Sequence, residues 1–172
     1  RKSDVMIKAI KYHADLINDV SGFNYDSQSL LKLKKYNIAK VLHHAQGTPN
    51  TMQINPKYKN VLLDIYDYFE KYINEFDNNK IILDPGIGFG LTLISKISLF
   101  HSLGFPLLIG TSRKRFISQI SGVNDSKERI GGTIASILFL LSQGVQIFRV
   151  HDVNEVKQGI LVFRKILSNF KS

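Results

Sequence analysis

The sequence contains no cysteine in its 172 residues, and it lacks long hydrophobic runs. Without cysteine it can form neither disulfide bonds nor thiolate metal sites, and a cytoplasmic location is the simplest expectation. The most apolar run, residues 134–141, is far shorter than the roughly 18 residues of a membrane span and contains Ala135 and Ser136. There is no secretory signal pattern either. We therefore expect neither a membrane protein nor a secreted one.

Positive charge is in excess, with 23 Lys and Arg against 14 Asp and Glu and a net charge of +9. Such an excess raises nucleic acid as a partner. However, only Lys32, Lys34 and Lys35 cluster on one predicted helix, and no aromatic residues alternate with them as in single-strand binders. We expect no nucleic-acid partner. A positive field would instead attract an anionic small substrate.

Short apolar runs alternate with helical patterns after an opening helix at 3–13. The predicted strands are 14–20, 38–43, 81–83 running into Asp84, 106–110 and 146–150. The helices that follow them are 27–36, 57–76, 92–103, 128–143 and 155–167. This alternation predicts parallel strands joined by right-handed crossovers in an α/β fold. Since every strand ends in polar residues, the pattern favours a TIM (β/α)₈ barrel, whose strand ends share one mouth, over an open sheet.

A complete barrel needs eight strands and roughly 250 residues. The chain has 172 residues and begins at Arg1 rather than at methionine. We therefore expect residues 1–172 to form one domain that supplies about the last five β/α units of the barrel, with three units missing from the front.

The segment Lys80–Leu91, KIILDPGIGFGL, places Asp84 at the carboxyl end of a buried strand. Glycines at 86, 88 and 90 allow the backbone to lie close to a flat or anionic ligand, although they also fit a simple strand-to-helix turn. The GxGxG spacing alone is weak and is not that of a dinucleotide-binding turn. The residues at the other strand ends make a binding site the better interpretation.

The other predicted strand ends carry polar side chains of complementary chemistry. They are Asn18, the pair His43 and His44, the run Ser112, Arg113 and Lys114, and the pair Arg149 and His151, which share one strand face. A carboxylate at position 84 can accept two parallel N–H bonds from a 2-aminopyrimidinone edge, and Asn18 can pair beside it. Zinc at His43 and His44 is disfavoured because adjacent strand side chains diverge. Ser112 lacks the GxSxG context of a nucleophile.

Several blocks resemble the motifs of dihydropteroate synthase, in the right order along the whole chain. They are NDVSG at 18–22, HAQGTPNTMQ at 44–53, DPGIGFG at 84–90, SRKRFI at 112–117 and RVHDV at 149–153. The resemblance implies a TIM barrel that joins 6-hydroxymethyl-7,8-dihydropterin pyrophosphate to p-aminobenzoate in folate synthesis. It also implies that sulfonamides compete with the aminobenzoate.

Roles for individual residues follow from the same resemblance. Asn18, Asp84 and Lys114 would hold the pterin, and Arg149 would pack on its ring. Arg149 and His151 would face the pyrophosphate, which gives the catalytic set Lys114, Arg149 and His151. Phe89, Ser112 and Arg113 would line the aminobenzoate side. Magnesium would assist departure of pyrophosphate, with its main ligand in the missing front part and no metal ligand within this chain.

The chain also departs from the family pattern. It has His43-His44-Ala45 where Met-His-Met is usual, and Leu91 where lysine is usual. The family's first strand, its two mobile loops and its third-strand aspartate have no counterpart, so we expect the chain alone not to turn over.

Other interpretations stay open from the sequence. The chain could be a truncated pterin-binding remnant, or half of a split barrel that needs a partner. A related pterin-dependent methyltransferase is disfavoured by SRKRFI and RVHDV. The apolar helix 128–143 indicates a homodimer interface.

Overall fold

The computed structural model describes residues 1–45, 58–76, 80–87 and 91–170. In these ranges the strands are β1 Leu16–Asp19, β2 Ala39–His43, β3 Ile81–Asp84, β4 Leu108–Ile109 and β5 Ile147–Phe148. The α-helices are α1 Ser3–Lys11, α2 Ser29–Leu33, α3 Val61–Ile73, α4 Leu91–Ser95, α5 Arg115–Ser121, α6 Ile130–Ser142 and α7 Val153–Phe170. Short 3₁₀ segments lie at Ile97–Leu103 and Ser126–Glu128.

The strands lie side by side in chain order, and all the pairs are parallel. β1 pairs with β2 and β2 with β3, while β4 pairs with β5. A single parallel bridge between Leu83 and Leu107 connects the two groups. Because each strand is followed by at least one helix, the carboxyl ends of all the strands lie on one side. We call this side the mouth.

The two faces of the strand array are packed differently. Outward-facing side chains such as Leu42, Leu83 and Ile109 are fully buried against the helices in the main core, which also contains Phe69 and Phe100. The opposite face is lined by a smaller cluster of Val41, Ile82 and Leu108, with Ala39 and Ile147 beside it. Because side chains alternate between the two faces along each strand, the strand-end residues in phase with this inner face are the ones that meet at the mouth.

Helix α3 shows how the sequence produces the outer layer. The Asn60 side chain accepts hydrogen bonds from the amides of Leu62 and Leu63 at 3.1 and 3.4 Å and so caps the helix start. Ile65 and Phe69, four residues apart, are fully buried. Helical spacing of apolar residues, which predicted this helix, is confirmed as core packing.

Some sequence expectations were wrong in detail. The predicted helix at 92–103 is a short α4 followed by a 3₁₀ segment, and helix α5 at Arg115–Ser121 was not predicted. In α5 only Ile117 is buried, so a hydrophobic periodicity is nearly absent from these seven residues. Strands β4 and β5 are two residues long because only that part of each apolar run is paired in a ladder.

Among the described residues, no helix combines the length and the hydrophobicity needed to cross a membrane.

Candidate functional site

Asp84, at the end of β3, is a buried carboxylate with one oxygen held by the backbone. It is 3% exposed, and its Oδ1 accepts a hydrogen bond from the amide of Gly86 at 2.9 Å. Gly86 has φ of 70°, a left-handed conformation that favours glycine. The turn after β3 therefore fixes the carboxylate in one orientation at the mouth.

His43 approaches the other oxygen of Asp84. The two residues are direct partners in the parallel register of β2 and β3, and Nδ1 of His43 lies 3.0 Å from Oδ2 of Asp84. Asn18 pairs in register with Val41, two residues before His43, so its side chain lies on the same inner face. Asn18 is exposed. Asn18 and Asp84, both predicted from the sequence as site residues, thus lie on the inner face of the sheet. His43 lies on the same face, on the intervening strand β2.

The NDVSG turn after β1 is fixed from the outer side. Buried Asp19 accepts hydrogen bonds from the amide and the hydroxyl of Ser21 at 3.0 and 2.7 Å. Gly22 has φ of +58°, and a Cβ there would lie 2.6 Å from the carbonyl oxygen of His43. Only glycine allows this close approach. The turn after β1 therefore packs directly against the end of β2.

A cleft of about 410 Å³ opens beside this group, at the ends of β4 and β5. It is lined by Gly110, Ser112, Arg113, Lys114, Ser126, Arg149 and His151. Most of these residues were predicted from the sequence as one constellation. The lining is polar and cationic, which suits an anionic group.

Arg149 lies across the end of β4. A Cβ built on Gly110 would stand 3.0 Å from Nη2 of Arg149, so the guanidinium packs directly over the glycine. The amide of Arg149 donates to the carbonyl of Ile109 at 3.0 Å, which continues the β4–β5 pairing by one residue. The absence of a side chain at Gly110 therefore makes room for the arginine inside the mouth.

Ser112 and His151 form a hydrogen-bonded pair. Oγ of Ser112 lies 2.9 Å from Nδ1 of His151, and the amide of His151 donates to the same Oγ at 3.2 Å. These contacts join the loop after β4 to the loop after β5. They orient the imidazole toward the cleft by fixing one of its two nitrogens.

Arg113 is held in place on several sides. Its guanidinium donates to Asp152 through Nε at 3.1 Å and Nη2 at 2.5 Å, and its amide donates to Oγ1 of Thr133 at 3.1 Å. Arg129 donates to its carbonyl at 3.0 Å. The charge of Arg113 lowers the pKa of Asp152, mainly through the side-chain hydrogen bond. Arg113 has φ of 60°, an unusual conformation that these contacts stabilise.

Lys114 follows Arg113 and caps the start of α5 with extended backbone. Burial lowers its pKa below the ordinary lysine value, the charge of Arg149 lowers it further, and the carboxylate of Asp84 opposes both effects. Since Arg113 is neutralised by Asp152, the cleft presents Lys114 and Arg149 as its unneutralised strong cations among the described residues. Lys114 thus connects the cleft electrostatically with Asp84.

Metal binding has no obvious support in this part of the molecule. Within residues 1–45, 58–76, 80–87 and 91–170, no three His, Asp or Glu side chains lie together as a metal site. Magnesium therefore stays a prediction from the resemblance.

The structure brings together most of the predicted site residues, in two adjacent groups. Asn18 and Asp84 lie on the inner face, and Ser112, Arg113, Lys114, Arg149 and His151 line the cleft. Phe89 and most of the HAQGTPNTMQ block lie outside the described residues. Leu91 is 52% exposed, as expected for a position outside a pocket.

Sequence reasoning gave no role to three residues that support the site. Asp152 binds Arg113, Thr133 holds the Arg113 amide, and Gly110 makes room for Arg149. Asp152 lies within the RVHDV block and Gly110 directly precedes the TSRK turn, so both had a local signal. Thr133, in the first turn of α6, had no such signal.

Parallel strands in chain order, with polar side chains from each strand end at one mouth, define the class of α/β-barrel enzymes. Comparison with known proteins agrees. A family model described as "Pterin binding enzyme" matches residues 1–151. Dihydropteroate synthase of Neisseria meningitidis serogroup B is 36% identical over 181 residues, covering 96% of this chain and 64% of the relative.

Solved structures give the same result. Dihydropteroate synthase of Thermus thermophilus in complex with 6HMPPP has a TM-score of 0.88 and 31% identity, covering 97% of this chain and 70% of that one. The same enzyme in complex with 4-aminobenzoate has a TM-score of 0.88 and 32% identity, with 96% and 68% covered. The chain belongs to the dihydropteroate synthase family of pterin-binding enzymes.

The fold prediction is thereby confirmed. The structural neighbours are TIM barrels, and the chain spans about two thirds of their length and 64% of the Neisseria relative. The described strands correspond to part of such a barrel, with β1 at one edge and β5 at the other.

Proposed function

We propose that this protein, at its full natural length, condenses 6-hydroxymethyl-7,8-dihydropterin pyrophosphate with p-aminobenzoate to give 7,8-dihydropteroate and pyrophosphate. The observation that carries the proposal is the buried Asp84 carboxylate beside a cationic cleft of about 410 Å³. A flat heterocycle with N–H donors and an anionic tail needs this combination of groups. The Thermus thermophilus relative binds 6HMPPP and 4-aminobenzoate in crystals, which supports the same substrates here.

The pterin would bind through its donor edge. The 2-amino group and the neighbouring ring N–H would donate to Asp84, whose orientation is fixed by Gly86. Asn18 would pair with mixed donor and acceptor positions beside it, and Lys114 would donate to a ring acceptor. Arg149, lying across Gly110, would cover the ring face. A buried carboxylate also stabilises positive charge that develops on the ring.

The cleft would bind the leaving group. The bond between the pterin methylene carbon and the pyrophosphate oxygen breaks, and pyrophosphate departs with the electron pair. Arg149 and His151 would stabilise the negative charge that develops on that oxygen, with Lys114 nearby. The arylamine lone pair then forms the carbon–nitrogen bond, and the nitrogen loses a proton.

The aminobenzoate side would be formed by Ser112, Arg113 and Phe89. Because the Arg113 guanidinium is bonded to Asp152, its contribution to the substrate would come mainly from its backbone and the orientation of the loop. The Yersinia pestis relative has been crystallised with a sulfonamide drug. We propose that sulfonamides compete with p-aminobenzoate here as well.

Magnesium, when bound, would supply positive charge to the departing pyrophosphate. We propose that its main ligand lies outside this chain. The missing barrel strands would also close the mouth, so residues 1–172 alone should bind substrate weakly and show no turnover. A cytoplasmic location is part of the same proposal, since a chain without cysteine is suited to a reducing compartment.

The test is a dihydropteroate synthesis assay on the protein at its full natural length and on residues 1–172. We expect product from the former only. Asp84→Asn should weaken pterin binding by roughly 1–3 kcal/mol, because charge-assisted hydrogen bonds become neutral ones. Calorimetry with the pterin substrate measures this loss directly.

The matched control is Asp15→Asn, which removes an exposed carboxylate from outside the site. It should leave the affinity unchanged. Equal affinities for wild type and Asp84→Asn would overturn the assignment of Asp84. Pterin binding without product at full length would favour a non-catalytic pterin-binding remnant, and product only after a second polypeptide is added would favour a split barrel.

We also propose that the protein forms a homodimer through α6. Phe139 on α6 is 42% exposed, and the packed neighbour α7 exposes Leu161, Val162, Ile166 and Leu167. Exposed apolar side chains gathered on two adjacent helices are typical of a subunit interface.

A further inference from the structure

His43 is a buried imidazole placed against the carboxylate proposed to bind the pterin. It is 7% exposed, and its Nδ1 lies 3.0 Å from Oδ2 of Asp84. The register between β2 and β3 makes the two residues direct neighbours on the inner face. The family motif that this segment resembles has methionine at this position, and methionine carries no titratable group. This chain instead has an ionisable side chain beside Asp84.

Neither ring nitrogen of His43 has an aligned hydrogen bond with any residue that the structure describes. A buried polar group without such a bond is energetically unfavourable. The hydroxyl of Tyr68 lies nearby, but it donates to the carbonyl oxygen of His43 at 3.2 Å and leaves the ring unsatisfied. The short approach to Asp84 is thus the main polar interaction of the imidazole in this part of the chain.

The oxygens of Asp84 are not equivalent. Oδ1 is already engaged by the Gly86 amide, and Oδ2 faces His43. A pterin edge with two parallel N–H donors needs the full negative charge of the carboxylate. A protonated His43 neutralises part of that charge and occupies space at Oδ2. A neutral His43 carries no charge that would compete for Oδ2.

We propose that His43 competes with the pterin for Asp84 and makes pterin binding by this protein weaken as the pH falls. The proposal rests on the proposed function of Asp84. In the empty pocket the free carboxylate stabilises the imidazolium. When the pterin covers the carboxylate that stabilisation is lost, so binding releases a proton and is disfavoured by acid.

Other titratable groups surround this pair. On β2 itself His44 is adjacent, and α3 presents Asp64 and Tyr68. At the end of β4, Lys114 interacts electrostatically with Asp84 and also with Arg149, which follows β5. Burial lowers the pKa of His44 to about 4, so His44 stays neutral between pH 5.5 and pH 7.5. Tyr68, whose pKa is raised by burial, is neutral there as well. Of these groups, His43 is the one whose ring directly approaches the Asp84 carboxylate, with Nδ1 3.0 Å from Oδ2.

The experiment measures binding of 6-hydroxymethylpterin to the protein at its full natural length, by calorimetry at pH 7.5 and pH 5.5. This probe has no pyrophosphate group. Its affinity therefore does not report protonation of a bound phosphate, or of the residues that would contact one in the cleft. The variants are His43→Met, which restores the family residue, and His43→Gln, which keeps a polar side chain without a titratable proton.

We expect the Kd of the wild type to rise roughly three- to tenfold between pH 7.5 and pH 5.5. Both variants should change by less than about twofold, and only the wild type should release a proton on binding, seen as a dependence of the heat on buffer ionisation. Equal pH dependence in all proteins, or none in the wild type, would overturn the inference. No binding by the wild type at pH 7.5 would overturn the proposed function as well. If His43→Met fails to fold, the wild-type proton release and His43→Gln decide the outcome.

Discussion

His44 is 4% exposed and packs edge-on against Tyr68, with ring centroids 4.9 Å apart. Burial, followed by the charge of His43, lowers its pKa to about 4 from the ordinary 6.5. The neighbouring histidines of one strand end thus have different electrostatic roles. His43 faces a carboxylate on the inner face, and His44 is kept neutral in an aromatic environment.

Because the folded state resists protonating His44, acid should destabilise the protein. The unfolded chain takes up a proton near pH 6.5 and the folded one only near pH 4, so this contribution is complete above pH 6.5 and is lost as the pH falls toward 4. The loss should amount to at most about 3 kcal/mol. Urea unfolding at pH 7.5 and pH 5.0 measures it.

The variant His44→Gln removes the titrating group and should reduce the pH dependence of the unfolding free energy. His13→Asn is the matched control, because His13 is exposed and its left-handed φ of 65° suits asparagine. It should keep the wild-type slope. Identical slopes in wild type and His44→Gln would refute the role given to His44.

Helices α5 and α6 meet at a close contact that positions the cleft. A Cβ on Gly132 of α6 would lie 2.4 Å from Cγ2 of Ile117, the buried side chain of α5. Lys114 caps the start of α5, so the position of this helix determines where the lysine enters the mouth. The packing of α5 against α6 therefore influences the position of Lys114 in the proposed substrate site.

Gly132→Ala should destabilise the protein by roughly 1–3 kcal/mol, because the added methyl group overpacks Ile117. This cost exceeds the gain of at most about 1 kcal/mol from helix propensity. Urea unfolding is the measurement. The neighbouring Gly131→Ala meets no atom within 4 Å and should be neutral or slightly stabilising. If both alanine variants were equally stable, the packing argument would be wrong.

At the scale of the whole molecule, the proposed dimer has a direct test. Sedimentation equilibrium of the protein at its full natural length should give a dimer mass. Phe139→Glu should shift the equilibrium toward monomer, since a charge would replace an apolar side chain within the proposed interface. Leu63→Glu is the matched control. Leu63 lies on α3 and is 54% exposed, comparable to Phe139, so this variant should leave the dimer intact. Dissociation by both variants, or by neither, would contradict the use of α6.

The single-domain interpretation of residues 1–172 belongs to this scale and stays a prediction. The family model ends at residue 151, before α7, which packs on α6. The packing of α7 on the preceding helix is the physical reason to retain it in the same domain.

The sequence by itself determined the barrel class, the order of the strands and most of the polar residues at the mouth. Apolar runs that alternate with helical spacing can form few other arrangements, and Asp84, Lys114, Arg149 and His151 each lie at or just after the end of such a run. The helix at Arg115–Ser121 was not predicted, because it buries one residue and so lacks a hydrophobic periodicity.

Only the tertiary structure decided how these residues combine. It paired Arg113 with Asp152, which removes one cation from the cleft, and it placed Arg149 over Gly110. It also set His43 beside Asp84 through the register of two strands that are distant in sequence, since His43 pairs with Asp84 while position 41 pairs with 82. Register and packing depend on contacts between distant segments, which local sequence patterns do not contain.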